Sequence, residues 1–261
     1  MDGHKILTYL AIKFHGDWDE IYKSIKERQE YPIEEMEKVV SSIKCKAVTI
    51  LDDDYPQWLK NIYKPPFVLF YYGDLSLAKD IENNLAVIGS REPTDYGKKI
   101  TEYLVKDIRA RYTIVSGLAR GIDSIAHTAA IESGAKTIAV LGSGIDYCYP
   151  LRNKELYEEI KKNHLLISEY PGEEMPDPSH FPARNRLVAS FCHGVLVTDA
   201  QIRSGTLITV EFALCTNKEV MCVPHRITDN SSCNRLIADG AFLVESAQDI
   251  IDVMSIGQIK K

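Results

Sequence analysis

The sequence has no CxxC pair among its six cysteines, Cys45, Cys148, Cys192, Cys215, Cys222 and Cys233. That spacing argues against a zinc ribbon or a dithiol redox motif, and most of these cysteines sit in apolar surroundings, where a free thiol behaves as a small hydrophobe. A reducing, cytoplasmic setting is expected, with no disulfide and no structural zinc. The seven histidines show no HExxH-type metal spacing. GxxxxGKS/T is missing, so there is no Walker-type nucleotide site, and no Ser or Cys sits in a GxSxG elbow. GxGxxG is missing too: the first turn reads GSREPT, and no acid closes the second strand as a ribose ligand. A nicotinamide cofactor is therefore set aside. No apolar run is long enough to span a bilayer. The N-terminus, MDGHKILTYLAIKFHGDWDE, is short in apolar length, carries acids and does not read as a signal peptide. A positive balance is also lacking: 31 Lys and Arg face 37 Asp and Glu, a formal net charge of −6. That argues against a uniformly basic partner surface, but local clusters decide binding. Ten of the eleven arginines lie at or after position 91.

What is present is a change of texture along the chain. Residues 1–45 carry apolar stripes at helical spacing: Ile6, Leu7, Leu10 and Ile12, then Trp18, Ile21, Tyr22 and Ile25, then Ile33, Met36, Val39, Val40 and Ile43 behind Pro32. Three short helices in this length predict a small satellite domain. KAVTILD (46–52) and FVLFYYG (67–73) read as strands. From residue 85, continuous apolar runs alternate with helical segments. The runs are LAVIGS (85–90), TIVSG (113–117), TIAVLG (137–142), LLISEY (165–170), GVLVTDA (194–200) and EVMCVP (219–224). Helices are expected near 96–111, 120–133, 152–163, 184–192 and 205–217, with a last strand at 241–244 and a closing helix at 246–255. Strands apolar on both faces, alternating with helices, predict an α/β fold with a doubly wound, mainly parallel sheet. At 45% hydrophobic residues the chain can bury a large domain, 46–261, beside the helical segment 1–45.

In such a sheet, ligands bind beyond the carboxyl ends of the strands. Right-handed crossovers put every post-strand turn on one edge. Those turns are GSR (89–91), SGLARGID (116–123), GSGID (142–146), SEYPG (168–172), TDAQIRSGT (198–206) and PHR (224–226). They are rich in glycine, hydroxyls and arginine, and poor in histidine and paired carboxylates. Glycine admits close backbone approach, and the helix N-termini that follow attract anions. Arg91 and Arg120 suit bidentate phosphate contacts. HFPARNR (180–186) adds Arg184 and Arg186, and the next turn adds Arg203. Together these residues predict a site for several phosphates.

Taken singly, each feature has a plainer role. Gly89, Gly117, Gly142 and Gly205 close tight turns, loop arginines solvate a surface, and Ser204-Gly205-Thr206 caps a helix. Convergence on one edge carries the anion reading. Asp123 and Asp146 are read as N-caps and His127 as a packed or capping residue. Tyr147, Tyr149, Tyr170 and Phe181 are candidates for base stacking. For Tyr149 and Phe181, each before a proline, core or rim packing is the expected role.

The ordered series SGLARGIDSIAH (116–127), TIAVLGSGIDYCYPLRN (137–153), LISEYPGEEMP (166–176), FPARNR (181–186), SGTLIT (204–209) and NRLIADGAFLV (234–244) resembles the DNA-processing protein A family, also called Smf. YPQWLKNIYKPPFVLFYYGD (55–74) is similar to that family's lead-in to the sheet, so the likeness covers roughly residues 50–253. The resemblance implies an extended Rossmann-like domain that binds single-stranded DNA and dimerises. It implies protection of incoming strands during natural transformation and help in loading a RecA-type recombinase, with neither catalysis nor a cofactor. It places phosphate contacts at Ser90 and Arg91, at Gly117, Arg120 and Gly121, at Arg184, Asn185 and Arg186, and at Ser204, Gly205 and Thr206. Lys154, just past YPLRN, is a further candidate. Residues 1–45 are similar to the small, SAM-like helical domain of many members. The chain departs from the pattern at Asp199, where Glu is usual, at His225, where Pro-Gly is usual, and at Cys233, where Gly is usual. With the sequence ending at Lys261, the winged-helix-like C-terminal domain of some members is not expected.

Two other readings compete. Phosphoribohydrolases of the LOG type cleave nucleotides at a PGGxGTxxE turn. Here that turn is IRSGTLIT: the paired glycines are missing, Thr209 holds the place of the catalytic acid, and Glu211 comes two residues late. A third reading is a scaffold whose basic edge binds a protein. Single-strand binding is the expected function, with residues 219–253 as a candidate dimer surface.

Overall fold

The computed structural model describes residues 2–202 and 204–259. Three helices open the chain: α1 (Gly3–Lys13), α2 (Trp18–Lys26) and α3 (Ile33–Ser41). The strands are β1 (Lys46–Thr49), β2 (Val68–Gly73), β3 (Asn84–Gly89), β4 (Thr113–Ser116), β5 (Thr137–Val140), β6 (Leu165–Ser168), β7 (Gly194–Asp199), β8 (Glu219–Cys222) and β9 (Phe242–Leu243). Between and after them run α4 (Asp95–Ile108), α5 (Ile122–Glu132), α6 (Lys154–Asn163), α7 (His180–Ser190), α8 (Thr206–Cys215), α9 (Cys233–Ala238) and α10 (Ala247–Ile259).

Among the described residues the strands form one sheet, ordered β1-β2-β6-β5-β4-β3-β7-β8-β9. From β6 to β9 every neighbour is parallel, while β2 runs antiparallel to β6 and β1 antiparallel to β2. This is the doubly wound, mainly parallel α/β sheet that the apolar runs predict. The chain leaves β3 in one direction through β4, β5 and β6, then returns beside β3 with β7 and continues to β8 and β9. The switch point therefore lies between β3 and β7.

Side chains alternate across the strands, so each central strand feeds two cores. On β3, Ala86 and Ile88 face α7, α8 and α9, through Leu187, Val188, Val210 and Cys233. Leu85 and Val87 face the opposite layer of α4, α5 and α10, through Leu104, Ala126 and Ile250. A third cluster joins Leu7, Tyr9, Leu10, Ile21 and Met36 of the three opening helices to Phe70 of β2, Leu166 of β6 and Tyr157 of α6. The opening helices thus share a core with one flank of the sheet.

The expected helix at 184–192 begins four residues earlier, at His180. HFPARNR is therefore the first turns of α7 and not a loop. Pro182 fits there because the first-turn N–H groups of a helix have no intrahelical acceptor. Helix α9 carries no prediction from the pattern; at six residues it is too short to show helical periodicity.

Candidate nucleic-acid interface

The switch point opens into a cavity of about 330 Å³. Its wall comes from four places: Gly89, Ser90 and Arg91 after β3; Gly117, Ala119 and Asp123 around the β4–α5 turn; Phe181, Arg184 and Asn185 on α7; and Gln201, Ser204, Gly205 and Thr206 between β7 and α8. A second cavity, about 400 Å³, adjoins it and is lined by Arg120, Gly142, Ser143, Tyr149, Leu151 and Arg152. Arg91, Gly117, Ala119, Phe181 and Arg184 line both. Gly121 lines a third, shallower hollow with Arg91 and Arg152.

Close backbone approach shapes this edge. Gly121 has φ +78° and immediately precedes α5, and a Cβ there would overlap the Ser90 carbonyl. A Cβ at Gly117 would overlap the Arg184 guanidinium. Leu118, between them, is held at φ +56°, a left-handed conformation that costs a branched side chain energy. Asp123 compensates: its carboxylate accepts from the Gly117 and Ala119 amides at 3.2 and 3.3 Å. Asn153 donates to the Leu118 carbonyl at 2.9 Å from the other side. Asp123 therefore organises the glycine turn and does not cap its helix; the N-cap is Gly121. Burial raises the Asp123 carboxyl above the usual carboxylate range, opposed by Arg184 and the two amides. Asp146 is not a cap either: it accepts from the Tyr72 hydroxyl at 2.7 Å and lies 3.8 Å from Lys161. Gly205 is the N-cap of α8 without a side-chain bond, and the buried Ser204 Oγ has no partner.

The arginines separate into two kinds. Arg184 is 4% exposed. Its Nη1 donates to the carbonyls ending β4 and β5, Gly117 and, at 2.6 Å, Val140. Burial depresses its pKa and Asp123 opposes that. It ties two strand ends together at the cavity floor. Arg186 forms a buried two-point pair with Glu169, both contacts at 2.6 Å, and donates to the Lys64 carbonyl at 2.8 Å. Burial works against its charge, but Glu169 outweighs it and the pKa rises. Arg186 lines neither cavity. Both brace the fold around the site: Arg186 spends its fork on Glu169 and Lys64 away from the two cavities, and Arg184 reaches them from the floor. Asn185, between them, donates to the Gly205 carbonyl at 3.3 Å.

Arg91, Arg120 and Arg152 are exposed around the cavity mouths. Arg120 lies 3.9 Å from Glu92, a loose surface pair, and Arg91 covers the Phe181 ring at 5.1 Å. Among the described residues no carboxylate pairs with Arg91 or Arg152. Arg203 lies outside the described residues. Lys154 starts α6 fully outside the two cavities. Helices α5 and α8 both begin at the first cavity, which adds their positive dipole ends.

Among the candidate aromatics, Tyr149 and Phe181 do form a rim pair, ring centroids 5.8 Å apart, and both line the second cavity. Tyr149 is 45% exposed at that rim. Tyr170 is buried and stacks on His180, and Tyr147 is half-buried outside the cavities. His127 is packed, with Nδ1 2.6 Å from the Thr137 hydroxyl. Glu211 is exposed on α8 away from the cavity, whereas Thr209 lines it, which leaves the hydrolase turn without its acid. Arg152 is the functional candidate that motif reading passed over; it stands in the same YPLRN turn that drew attention to Lys154.

Residues 46–255 match the model of the family described as DNA recombination-mediator protein A. The chain is 46% identical over 210 residues to the DNA processing protein DprA of Streptococcus pneumoniae, covering 80% of this chain and 74% of that one. Identity to DprA of Bacillus subtilis is 40%, covering 79% and 70%. The X-ray structure of DNA processing protein A from Streptococcus pneumoniae superposes with a TM-score of 0.83 at 36% identity, over 97% of this chain and 98% of that one. A structure of the Helicobacter pylori protein, described for its single-stranded DNA binding mode, gives a TM-score of 0.73 at 30% identity, over 81% and 96%.

Proposed function

The chain belongs to the DNA recombination-mediator protein A family, and on that premise we propose that it binds single-stranded DNA along the carboxyl edge of its sheet. The observation that carries this is the meeting of three glycine or hydroxyl turns with the exposed Arg91, Arg120 and Arg152 around two joined cavities. Backbone amides of the turns and the α5 and α8 N-termini take phosphate oxygens in the first cavity, with Ser90, Ser204 and Thr206 as hydroxyl partners. The second cavity, with Tyr149 and Phe181 at its rim, takes an unstacked base. A duplex keeps its bases stacked inside and offers nothing to that rim. Arg184, Asn185 and Arg186 hold α7 in place behind the contacts.

The wider role is protection of incoming single strands and delivery to a RecA-type recombinase, by a homodimer whose two edges extend the bound tract. Residues 1–45 serve as a helical unit docked on the sheet's flank. Binding rather than catalysis fits a cavity whose buried carboxylate, Asp123, is committed to two loop amides. Fluorescence anisotropy with labelled oligonucleotides across a salt series tests the proposal. Single strands should bind at least about tenfold better than duplex, with affinity falling in log–log proportion to salt at about 0.7 per phosphate contact. Equal affinity for duplex would overturn it.

A further inference from the structure

The turn between α1 and α2 is seated on a loop of the sheet edge. His15 and Gly16 follow α1, and both take left-handed backbone, φ +52° and +77°. The turn is tightly specified. The Gly16 N–H donates to the Ala11 carbonyl at 2.8 Å, and Asp17 caps α2 by accepting from the Glu20 N–H at 3.0 Å. Gly16 lies against the loop after β6: a Cβ there would stand 2.7 Å from the Glu169 carbonyl oxygen and 2.9 Å from the Tyr170 ring. Beside it, His15 Nδ1 lies 2.7 Å from a Glu174 carboxylate oxygen.

That loop, 169–174, supports the second cavity from two directions. It is zipped to the β5–α6 turn, where the N–H groups of Gly144, Ile145 and Asp146 donate to the carbonyls of Glu174, Tyr170 and Gly172 at 2.8, 3.0 and 2.7 Å. The same turn supplies Gly142 and Ser143 to the cavity wall. In the other direction the Tyr170 ring stacks on His180, centroids 3.9 Å apart, and His180 opens α7. The next residue, Phe181, lines both cavities and crosses Gly142, where a Cβ would stand 3.0 Å from its ring. The opening helices hold a second point as well. Trp18 donates to the Pro65 carbonyl at 2.8 Å, and the adjacent Lys64 carbonyl accepts from Arg186 of α7. Among the described residues, none from these helices lines either cavity.

We propose, resting on the reading of the second cavity as a base site, that the α1–α2 turn positions that cavity, with Gly16 as the seat and loop 169–174 as the arm. Gly16 touches no DNA. It sets how closely the loop stands to the helices, and the three backbone bonds and the Tyr170–His180 stack carry that spacing to Gly142 and Phe181. Close-packed contacts transmit such a displacement because they leave no slack. The His15–Glu174 pair is exposed and contributes little. Linkage makes the coupling reciprocal: a base in the cavity stabilises the turn as much as the turn favours the bound base.

Anisotropy on the full chain, with an oligothymidylate and the same strand carrying abasic sites, separates base from phosphate contacts. The native protein should prefer the base-bearing strand by about tenfold. Gly16→Ala should cut that preference to about twofold or less and leave the salt slope unchanged, since the phosphate contacts stay. Gly134→Ala is the matched control. Its φ is +82°, so the backbone strain is alike, but a Cβ there meets nothing within 4 Å and the residue precedes β5, away from the cavities. It should keep the native preference. If Gly16→Ala, folded by circular dichroism, keeps it too, the proposal fails. Should Gly16→Ala not fold, amide exchange of the native protein decides. The base-bearing strand should slow exchange across 142–146 and across 14–18 more than the abasic strand does. Slowing at 142–146 without slowing at 14–18 overturns the positioning role alone. Equal affinity of the native protein for the two strands overturns the base-site reading, and the positioning role with it.

Discussion

The buried arginines of α7 and the exposed arginines of the turns serve one cavity edge, but they differ in what their donors already hold. Arg184 and Arg186 spend theirs on protein: strand-end carbonyls for one, Glu169 and the Lys64 carbonyl for the other. Arg91 and Arg152 are exposed and have no carboxylate partner among the described residues. A guanidinium with its fork satisfied inside the fold fixes geometry, whereas one at the mouth contributes charge and contacts that are realised only on binding. The difference predicts two separable failures, one of folding and one of affinity.

The largest effect belongs to the buried pair. Arg186→Ala leaves the Glu169 carboxylate buried without its partner, which costs about 3–5 kcal/mol. Denaturant unfolding should show that loss, and the double change Arg186→Met with Glu169→Met should recover most of it, because no orphan charge remains. If Arg186→Ala unfolds like the parent but loses DNA affinity, the division into two kinds of arginine breaks.

A pH effect probes the same interior. Burial first, then His164 and the Arg184 cation, press the His127 pKa down to about 3. The unfolded chain takes up that proton near pH 6.5, while the folded chain refuses it. Stability is therefore full above pH 6.5 and declines as pH falls toward 3. Between pH 6.5 and 5 the loss is about 2 kcal/mol from this residue. His127→Gln should flatten that part of the curve; an unchanged slope would show that His127 does not carry the acid loss.

Most of the fold was legible because buried parallel strands announce themselves as unbroken apolar runs, and each such run from Leu85 to Cys222 lies within a strand or just past its end. Convergence of the turns was legible from the parallel run of the strands, which sets their carboxyl ends on one edge. What could not be read was burial of charge. Arg186 finds Glu169 from a different strand end, 17 residues away, and only the packed fold shows that they meet. The same holds for Asp123, whose N-cap position in sequence conceals a carboxylate turned back to bind the Gly117 and Ala119 amides.

On the exposed side, Arg91→Ala should leave unfolding unchanged, since surface changes away from buried features stay within about ±0.5 kcal/mol. Single-strand affinity should fall by about tenfold at low salt, and the log–log salt slope should drop by about 0.7, one phosphate contact. Anisotropy and a thermal melt on the same sample separate the two quantities. A destabilised Arg91→Ala protein would place Arg91 with the braces.

The smallest and sharpest comparison is between two neighbours on one turn. Arg152 lines the second cavity, while Lys154, two residues on, starts α6 outside it. Both are exposed and both carry one positive charge. If the edge acted only as a diffuse positive field, their removal would weaken binding about equally, because two like charges two residues apart add nearly the same potential. If the edge grips phosphates at fixed points, Arg152→Ala should cost on the order of threefold in affinity and Lys154→Ala less than about twofold. The ratio of the two, measured with one oligonucleotide at one salt concentration, decides whether the exposed arginines recognise the strand or merely attract it.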